Sequence, residues 1–394
     1  MKKKLYIDYI LMQLLYFILL GILISYGSYA LLKLGYSASI TGIIMALGSL
    51  LSAILQPIAA NISDNSKRFS LFNICVIISA SCIILSIIML PQKSASLIMT
   101  LSFIGISGIA TVLEPLVNTV PTILNNSGIQ LNYGVGRAVG SLGYAFANAV
   151  LGILTGKYSF RVVFLSSLIA SVLSLVVNVK ANKDFLSIPS KVNKQDNENE
   201  ITYSHFLKRH KSFLLLMICT TGIYLGFTMS DNMMILVVEN AGGNGSDLGM
   251  IMAFKACLEV PVIFFYDRLE KLASPEKLLK IAALSFLIKS GLLCLAKSIT
   301  MVYAVQLFQL TSLSLEIPAM VSYANSIMDK KEAVRGQALF IMGVTIASVI
   351  SSLISGVISD LFSTTMMLFV AFVVTLISTI FFIIIIDNRV GETK

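Results

Sequence analysis

Charge is scarce in this chain. Only 12% of its 394 residues are Asp, Glu, Lys or Arg, against about a quarter in soluble domains. Hydrophobic residues make up 56% and the mean hydropathy is +0.87, which excludes an ordinary soluble domain and points to an integral membrane protein. Short segments of alternating polarity are also missing, which argues against a transmembrane β-barrel. The five cysteines (Cys75, Cys82, Cys219, Cys257, Cys294) lie inside apolar runs without metal-type spacing, so neither a disulfide framework nor a metal centre is expected and they read as small buried hydrophobes. The two histidines, His205 and His210, fall in a charged connection and read as solvated. No glycine-rich phosphate loop and no His/Asp metal cluster can be found, which leaves an enzyme or an ATP-driven pump without its usual sequence grounds and implies no cofactor.

What the chain does have is a series of apolar runs long enough to cross a ~30 Å hydrocarbon core as helices. Twelve spans are predicted, at 9–34, 40–62, 69–90, 97–124, 133–156, 161–180, 213–238, 247–266, 278–296, 300–328, 336–359 and 364–386. The basic start Met1-Lys-Lys-Lys4 runs into an apolar segment too long for a signal-peptide core and is read as the first span. With this partition, 21 of the 29 basic residues fall on one side of the membrane and five on the other. Lys and Arg accumulate on the cytoplasmic side, so both termini are expected there, in a multi-pass protein of the cytoplasmic membrane. The net charge of +9 is thereby explained without nucleic acid.

One connection, 181–212, is long, charged and poor in apolar residues, and reads as a cytoplasmic linker. It divides the chain into an N-terminal bundle, 1–180, and a C-terminal bundle, 213–394. The two halves echo each other. Gln56-Pro57 is matched by Glu259-Val-Pro261, Asp64 by Asp267 and Glu114-Pro115 by Glu316-Ile-Pro318, at offsets of 203, 203 and 202 positions. A common offset implies duplication of a six-helix unit, an architecture in which solute binds near the membrane midplane. The expected fold is an all-α membrane protein of twelve transmembrane helices in two six-helix pseudo-repeats around a central cavity.

Seven charges fall inside the predicted spans: Glu114, Asp231, Glu259 and Glu316 against Arg137, Lys255 and Lys289. Each costs at least ~2.5 kcal/mol at bilayer depth unless it faces protein or water, so each marks either a site or an ion pair that fixes packing. Four acids against three bases leave one acid free to exchange a proton. Arg137 stands in Tyr133-Gly-Val-Gly-Arg-Ala-Val-Gly-Ser-Leu-Gly-Tyr144. Its planar fork of donors suits hydroxyls or a carboxylate, and Tyr144, two turns later, shares its face. Gly134, Gly136, Gly140 and Gly143 read as helix packing through small residues. Glu114 and Asn118 share one face, and Lys255 and Glu259, also at i and i+4, are spaced to pair with each other.

Twelve spans, the six-plus-six repeat, the charged middle connection and the acidic turn after the second span resemble the major facilitator superfamily. The fifth-span segment Tyr133-Gly134, Arg137, Gly140-Ser-Leu-Gly-Tyr144 resembles its oligosaccharide/nucleoside proton symporter (lactose permease-like) branch. That resemblance implies that Arg137 binds substrate hydroxyls, that Tyr144 stacks on a sugar ring, and that Asn118 occupies the place of a family carboxylate, with Glu114 one turn away. It implies a proton-carrying role for Glu316, assisted by Lys289. The family's histidine and a further lysine are replaced here by Leu313 and Leu310. Asp231 matches an ion-paired aspartate whose usual lysine is absent at Val344-Thr345, with Lys255 as a substitute. Asp64, Lys67 and Arg68 resemble the superfamily's gating loop. The expected activity is therefore proton-coupled transport of a small polar solute by alternating access. Its expected partners are that solute, protons and the lipid bilayer, and the chain is expected to be a monomer. Export of amphiphilic compounds, with Met229, Met233 and Met234 lining a permissive pocket, is the alternative within transport; a non-transporting sensor is the alternative outside it.

Overall fold

The computed structural model describes residues 2–65, 70–126, 129, 131, 133–185 and 209–392. Twelve of its helices are long and apolar enough to cross a membrane. They are α1 (Lys4–Ser25), α2 (Ala38–Ser63), α3 (Leu71–Met89), α4 (Leu97–Asn125), α5 (Tyr133–Lys157), α6 (Val162–Phe185), α7 (Lys211–Asn232), α8 (Gly245–Leu272), α9 (Pro275–Leu295), α10 (Ile299–Ile327), α11 (Arg335–Leu361) and α12 (Thr364–Asp387). The chain is thus a multi-pass membrane protein. Linker residues 186–208 lie outside the described residues, as do Lys67 and Arg68 of the expected gating loop; Asp64 belongs to the last turn of the helix Ala38–Asn65.

Two predicted spans prove to be interrupted. The first loosens into a π-helical turn at Gly21–Ser25 and restarts as Gly27–Lys33. A side chain at Gly21 would meet the Asn148 amide at 2.9 Å, so glycine is what permits α5 to approach there. The seventh stops at Asn232 and restarts as Met234–Asn240. The fourth span of each half is also broken: α4 into Leu97–Ala110 and Leu113–Asn126, and α10 into Ile299–Val305, a 3₁₀ segment Gln306–Leu310 and Leu313–Ile327. Both open on a serine cap. Ser96 accepts from the Met99 amide at 3.1 Å and Ser298 from the Met301 amide at 3.4 Å, a device worth about 1 kcal/mol per helix.

Two compact units result, one of Met1–Asn193 with Gly243–Cys257 and one of Lys194–Gly242 with Leu258–Lys394. Within the first, α1 packs on α5 and α6, and α3 on α4 and α6; within the second, α7 packs on α11 and α12, and α9 on α10 and α12. The same pairs recur six helices later, as a duplication requires. In the first unit α3 and α6 are joined by small polar side chains, Ser79 with Ser174 at 3.1 Å and Ser86 with Ser167 at 3.0 Å, a common means of holding helices together in lipid. The second unit is centred on rings: Tyr224 packs edge-on against Phe227 and Phe340, and Phe286 lies against both Tyr224 and Phe227. Outward faces carry isoleucine, leucine and phenylalanine, as along Ile377, Ile380, Phe381 and Ile384 of α12.

Candidate functional site: two charged clusters, one in each unit

In the first unit α1 presents Tyr9, Gln13, Tyr16 and Phe17 on one helical face, spaced i, i+4, i+7 and i+8. The second half of α4 presents Glu114 and Asn118, and α5 presents Arg137. Tyr16 donates to Glu114 Oε2 at 2.9 Å, and Arg137 Nη1 stands 3.5 Å from Glu114 Oε1. The guanidinium lies over the Phe17 ring, 4.4 Å from its centre. Gln13 donates to Asn118 Oδ1 at 2.9 Å and lies 3.3 Å from the Tyr9 hydroxyl. Six side chains from three helices therefore form one continuous polar surface.

The central ion pair is unsaturated. Charge-assisted N–H···O bonds close to about 2.7–2.9 Å, whereas this pair stays at 3.5 Å, and Arg137 Nη1 is buried without a hydrogen bond among the described residues. Glu114 keeps 40% of its side chain exposed. Donor and acceptor capacity thus remain unused side by side, with the guanidinium above an aromatic ring.

Tyr144 is two turns further along α5, its hydroxyl 2.6 Å from Ser25 Oγ in the π-helical turn of α1. The ring beneath the guanidinium is Phe17. Next to Tyr144, Ala145 packs with Ala253 and Ala256 of the first half of α8, the segment that also carries the buried Lys255. Three of the four glycines, Gly136, Gly140 and Gly143, behave as the small-residue reading expects. A Cβ at Gly136 would collide with Tyr9, one at Gly140 with Phe17 and one at Gly143 with Leu14, so α5 lies directly on α1; Gly134 is exposed.

The second unit repeats part of this plan. Tyr224 on α7 hydrogen-bonds Glu316 on α10, as Tyr16 on α1 does Glu114 on α4. Glu316 is 3% exposed and its Oε2 has no hydrogen-bond partner among the described residues. Lys289, 2% exposed, donates to Gln309 Oε1 at 2.5 Å, and Gln309 in turn donates to Glu259 Oε1 at 2.9 Å. The Lys289 ammonium also lies 5.2 Å from the centre of the Phe227 ring. Gln309 sits in the 3₁₀ segment of α10. Its counterpart contact in the first unit is Gln56, which reaches the carbonyl of Thr111 at the break of α4 at 3.5 Å. The Gln56/Glu259 echo in the sequence therefore corresponds to one structural role, contact with the interrupted fourth helix.

Asp231 is half-buried in the last turn of α7, where its neighbour Asn232 donates to Ser352 Oγ of α11 at 2.7 Å. Met229, Met233 and Met234 are 0%, 0% and 2% exposed and pack as core, which removes the observation behind the exporter reading. His210 corrects the expectation of a solvated side chain. It is 8% exposed, 3.1 Å from Glu332 Oε2, with Arg209 3.1 Å from the other oxygen of the same buried carboxylate. The roll of seven intramembrane charges also omits Asp8, which is fully buried and lies inside α1 because that span starts five residues earlier than predicted.

Tyr16, Tyr224, Gln13, Phe17 and Gln309 did not stand out in the sequence. Tyr and Gln are unremarkable in apolar helices, and only the helical spacing of Tyr9, Gln13 and Tyr16 hinted at a polar face.

Known proteins place this geometry. The chain aligns over 97% of its length, and 99% of the other, with a variant of the nucleoside transporter NupG (14% identity, TM-score 0.81). It aligns over 99% of its length, and 98% of the other, with a bacterial homolog of the human lysosomal transporter Spinster (13% identity, TM-score 0.77). A maltose permease of Geobacillus stearothermophilus is 24% identical over 209 residues, 53% of this chain and about half (51%) of that relative. The model of the MFS_1 like family matches residues 6–371. With helix order, repeat and whole-chain fold in agreement, the chain belongs to the MFS_1 like family, within the major facilitator superfamily of membrane transporters.

Proposed function

We propose that this protein is a secondary active transporter that moves a small polar solute, of sugar or nucleoside type, by alternating access and in symport with protons. Residues 1–180 and 213–394 are its two halves, in a cytoplasmic membrane with both termini inside. The observation that carries the reading is the unsaturated Glu114–Arg137 pair over Phe17. The guanidinium offers donors to solute oxygens, Glu114 accepts from solute hydroxyls, Tyr16 holds the carboxylate in place, and Asn118 on its Gln13 support adds a neutral polar contact. Relatives described as a maltose permease and a nucleoside transporter support the same solute class.

Coupling is assigned to Glu316. A carboxylate in so dry a place, with one oxygen unpartnered, is costly when ionised and readily holds a proton. The buried Lys289, linked through Gln309 to Glu259, is assigned as the cation of the same unit that assists it. Thermal-shift screening of the purified protein with sugars and nucleosides identifies the solute, because binding stabilises the folded state. Arg137→Ala is expected to abolish that shift while leaving the unliganded Tm close to wild type; a retained shift removes Arg137 from the site. Glu316→Gln is expected to exchange labelled solute across vesicles but to lose uphill accumulation. Accumulation equal to wild type rules Glu316 out as the proton carrier.

A further inference from the structure

Gln13 of α1 is fully buried behind the first cluster, so it can act on a solute only through a neighbour. Its amide nitrogen donates twice, to the Tyr9 hydroxyl at 3.3 Å and to Asn118 Oδ1 at 2.9 Å. Its own Oε1 has no hydrogen-bond partner among the described residues. The Tyr9 hydroxyl in turn donates to the backbone carbonyl of Tyr133, at the start of α5, at 3.5 Å. Close packing holds that hydroxyl in place, because a Cβ at Gly136 would collide with it. Asn118, at the other end of the chain of bonds, is half-buried, and its amide nitrogen makes no hydrogen bond with a described residue.

A backbone carbonyl can only accept, so the Tyr133 end sets the direction of every bond that follows. Tyr9 gives its single O–H to the backbone and accepts from Gln13. The Gln13 nitrogen is thereby turned toward Tyr9 and Asn118, and Asn118 Oδ1 is taken up by it. What Asn118 has left for a ligand is its pair of N–H donors. Turning that amide over would set donor against donor in a dry place, where a polar group left unmade is costly. We propose that Gln13 is a positioning residue that makes Asn118 a hydrogen-bond donor only, so that the solute must present an acceptor there, such as a carbonyl or ring oxygen, and not an amino group. Glu114, one turn away on the same face, addresses a different part of the solute, a hydroxyl. A sugar hydroxyl meets the demand of Asn118 by accepting, and a nucleoside base meets it through an oxo group. The assignment rests on the solute-binding reading of this cluster and narrows it: between nucleosides that differ only there, the oxo form is taken over the amino form.

The test is calorimetric titration of the purified full chain with matched solutes that differ in one group. The pairs are uridine with cytidine, inosine with adenosine, and D-glucoses carrying fluorine or an amino group in place of one hydroxyl. In the pair whose varied group meets Asn118, the oxo or fluoro member is expected to bind about tenfold more tightly or better, the scale of one unmade polar contact. Gln13→Met keeps the length of the side chain but donates nothing, which frees the Asn118 amide to turn over. The ratio within that pair is then expected to fall below about threefold, whereas a purely structural role would weaken both members alike and leave the ratio standing. Tyr9→Phe, which removes the anchor and leaves Gln13 and Asn118 intact, is expected to narrow the same ratio and covers the case in which Gln13→Met does not fold. Equal affinity within every pair, preference for the amino member, or a ratio that survives in either folded variant overturns the proposal. Binding without discrimination removes the role of Gln13 alone; failure of every probe to bind the wild type removes the sugar or nucleoside reading, and this assignment with it.

Discussion

Arg137 and Lys289 show how one cation differs from another inside a membrane protein. Arg137 is only partly buried, stands 3.5 Å from its carboxylate and rests on Phe17, so its fork of donors is not saturated by the ion pair. Lysine at this position would keep the charge but lose the planar fork. Arg137→Lys is therefore expected to weaken solute binding at least tenfold, roughly 1.4 kcal/mol, measured by calorimetric titration. Affinity equal to wild type would show that charge alone suffices. Lys289, by contrast, is buried and committed to Gln309. Gln309→Leu removes an acceptor from the ammonium and a donor from Glu259, and a buried polar group left unmade costs about 1–3 kcal/mol. A lower Tm in detergent is expected, with recovery in a Gln309→Leu, Lys289→Met double variant. A single variant as stable as wild type would mean that Gln309 bridges nothing of consequence.

Among helices, the contact between α1 and α5 sets the shape of the site. Gly136, Gly140 and Gly143 let α5 lie on the ring and side-chain atoms of Tyr9, Phe17 and Leu14. Phe17 is also the ring beneath Arg137, so helix packing and solute recognition share a residue. Gly140→Ala places a methyl group where Phe17 stands, an overpacking that costs about 1–3 kcal/mol. It is expected to lower both Tm and solute affinity, whereas Gly134→Ala, at an exposed position, is expected to leave both unchanged. Equal behaviour of the two variants would break the link between packing and site. The interrupted fourth helices belong to this scale too. Prolines following the acids, Pro115 and Pro318, made a disturbance foreseeable, but where each helix yields was not written in them: the breaks fall earlier, at Thr111-Val112 and Thr311-Ser312.

For the whole molecule, the asymmetric distribution of Lys and Arg yields an orientation that can be measured. Ser94, exposed between α3 and α4, and Ser274, exposed between α8 and α9, fall on opposite sides in the twelve-span order. In a chain with its native cysteines replaced, Ser94→Cys is expected to react with a membrane-impermeant maleimide from outside the cell. Ser274→Cys is expected to react only after permeabilisation. The reverse pattern would overturn the assigned topology. The same order underlies the repeat. Packing pairs recur six helices apart and a tyrosine of the first helix meets a glutamate of the fourth in both units, so the duplication read from three sequence echoes extends to contacts that the echoes did not include.

The sequence by itself determined the number and order of the spans, the repeat and the placing of Arg137, Glu114 and Glu316 within helices. Each follows from transfer energy and periodicity, which are properties of local composition. Only the tertiary structure decided which groups meet. That Tyr16 holds Glu114, that Phe17 lies under Arg137, that Gln309 joins Lys289 to Glu259 and that Lys180 reaches the buried Asp8 depends on the rotation of each helix about its axis and on where a helix breaks or begins. A hydropathy profile averages over those angles. His210 makes the same point: a polar residue in a charged stretch is indistinguishable from a solvated one until Glu332, 122 positions away, is brought to its side.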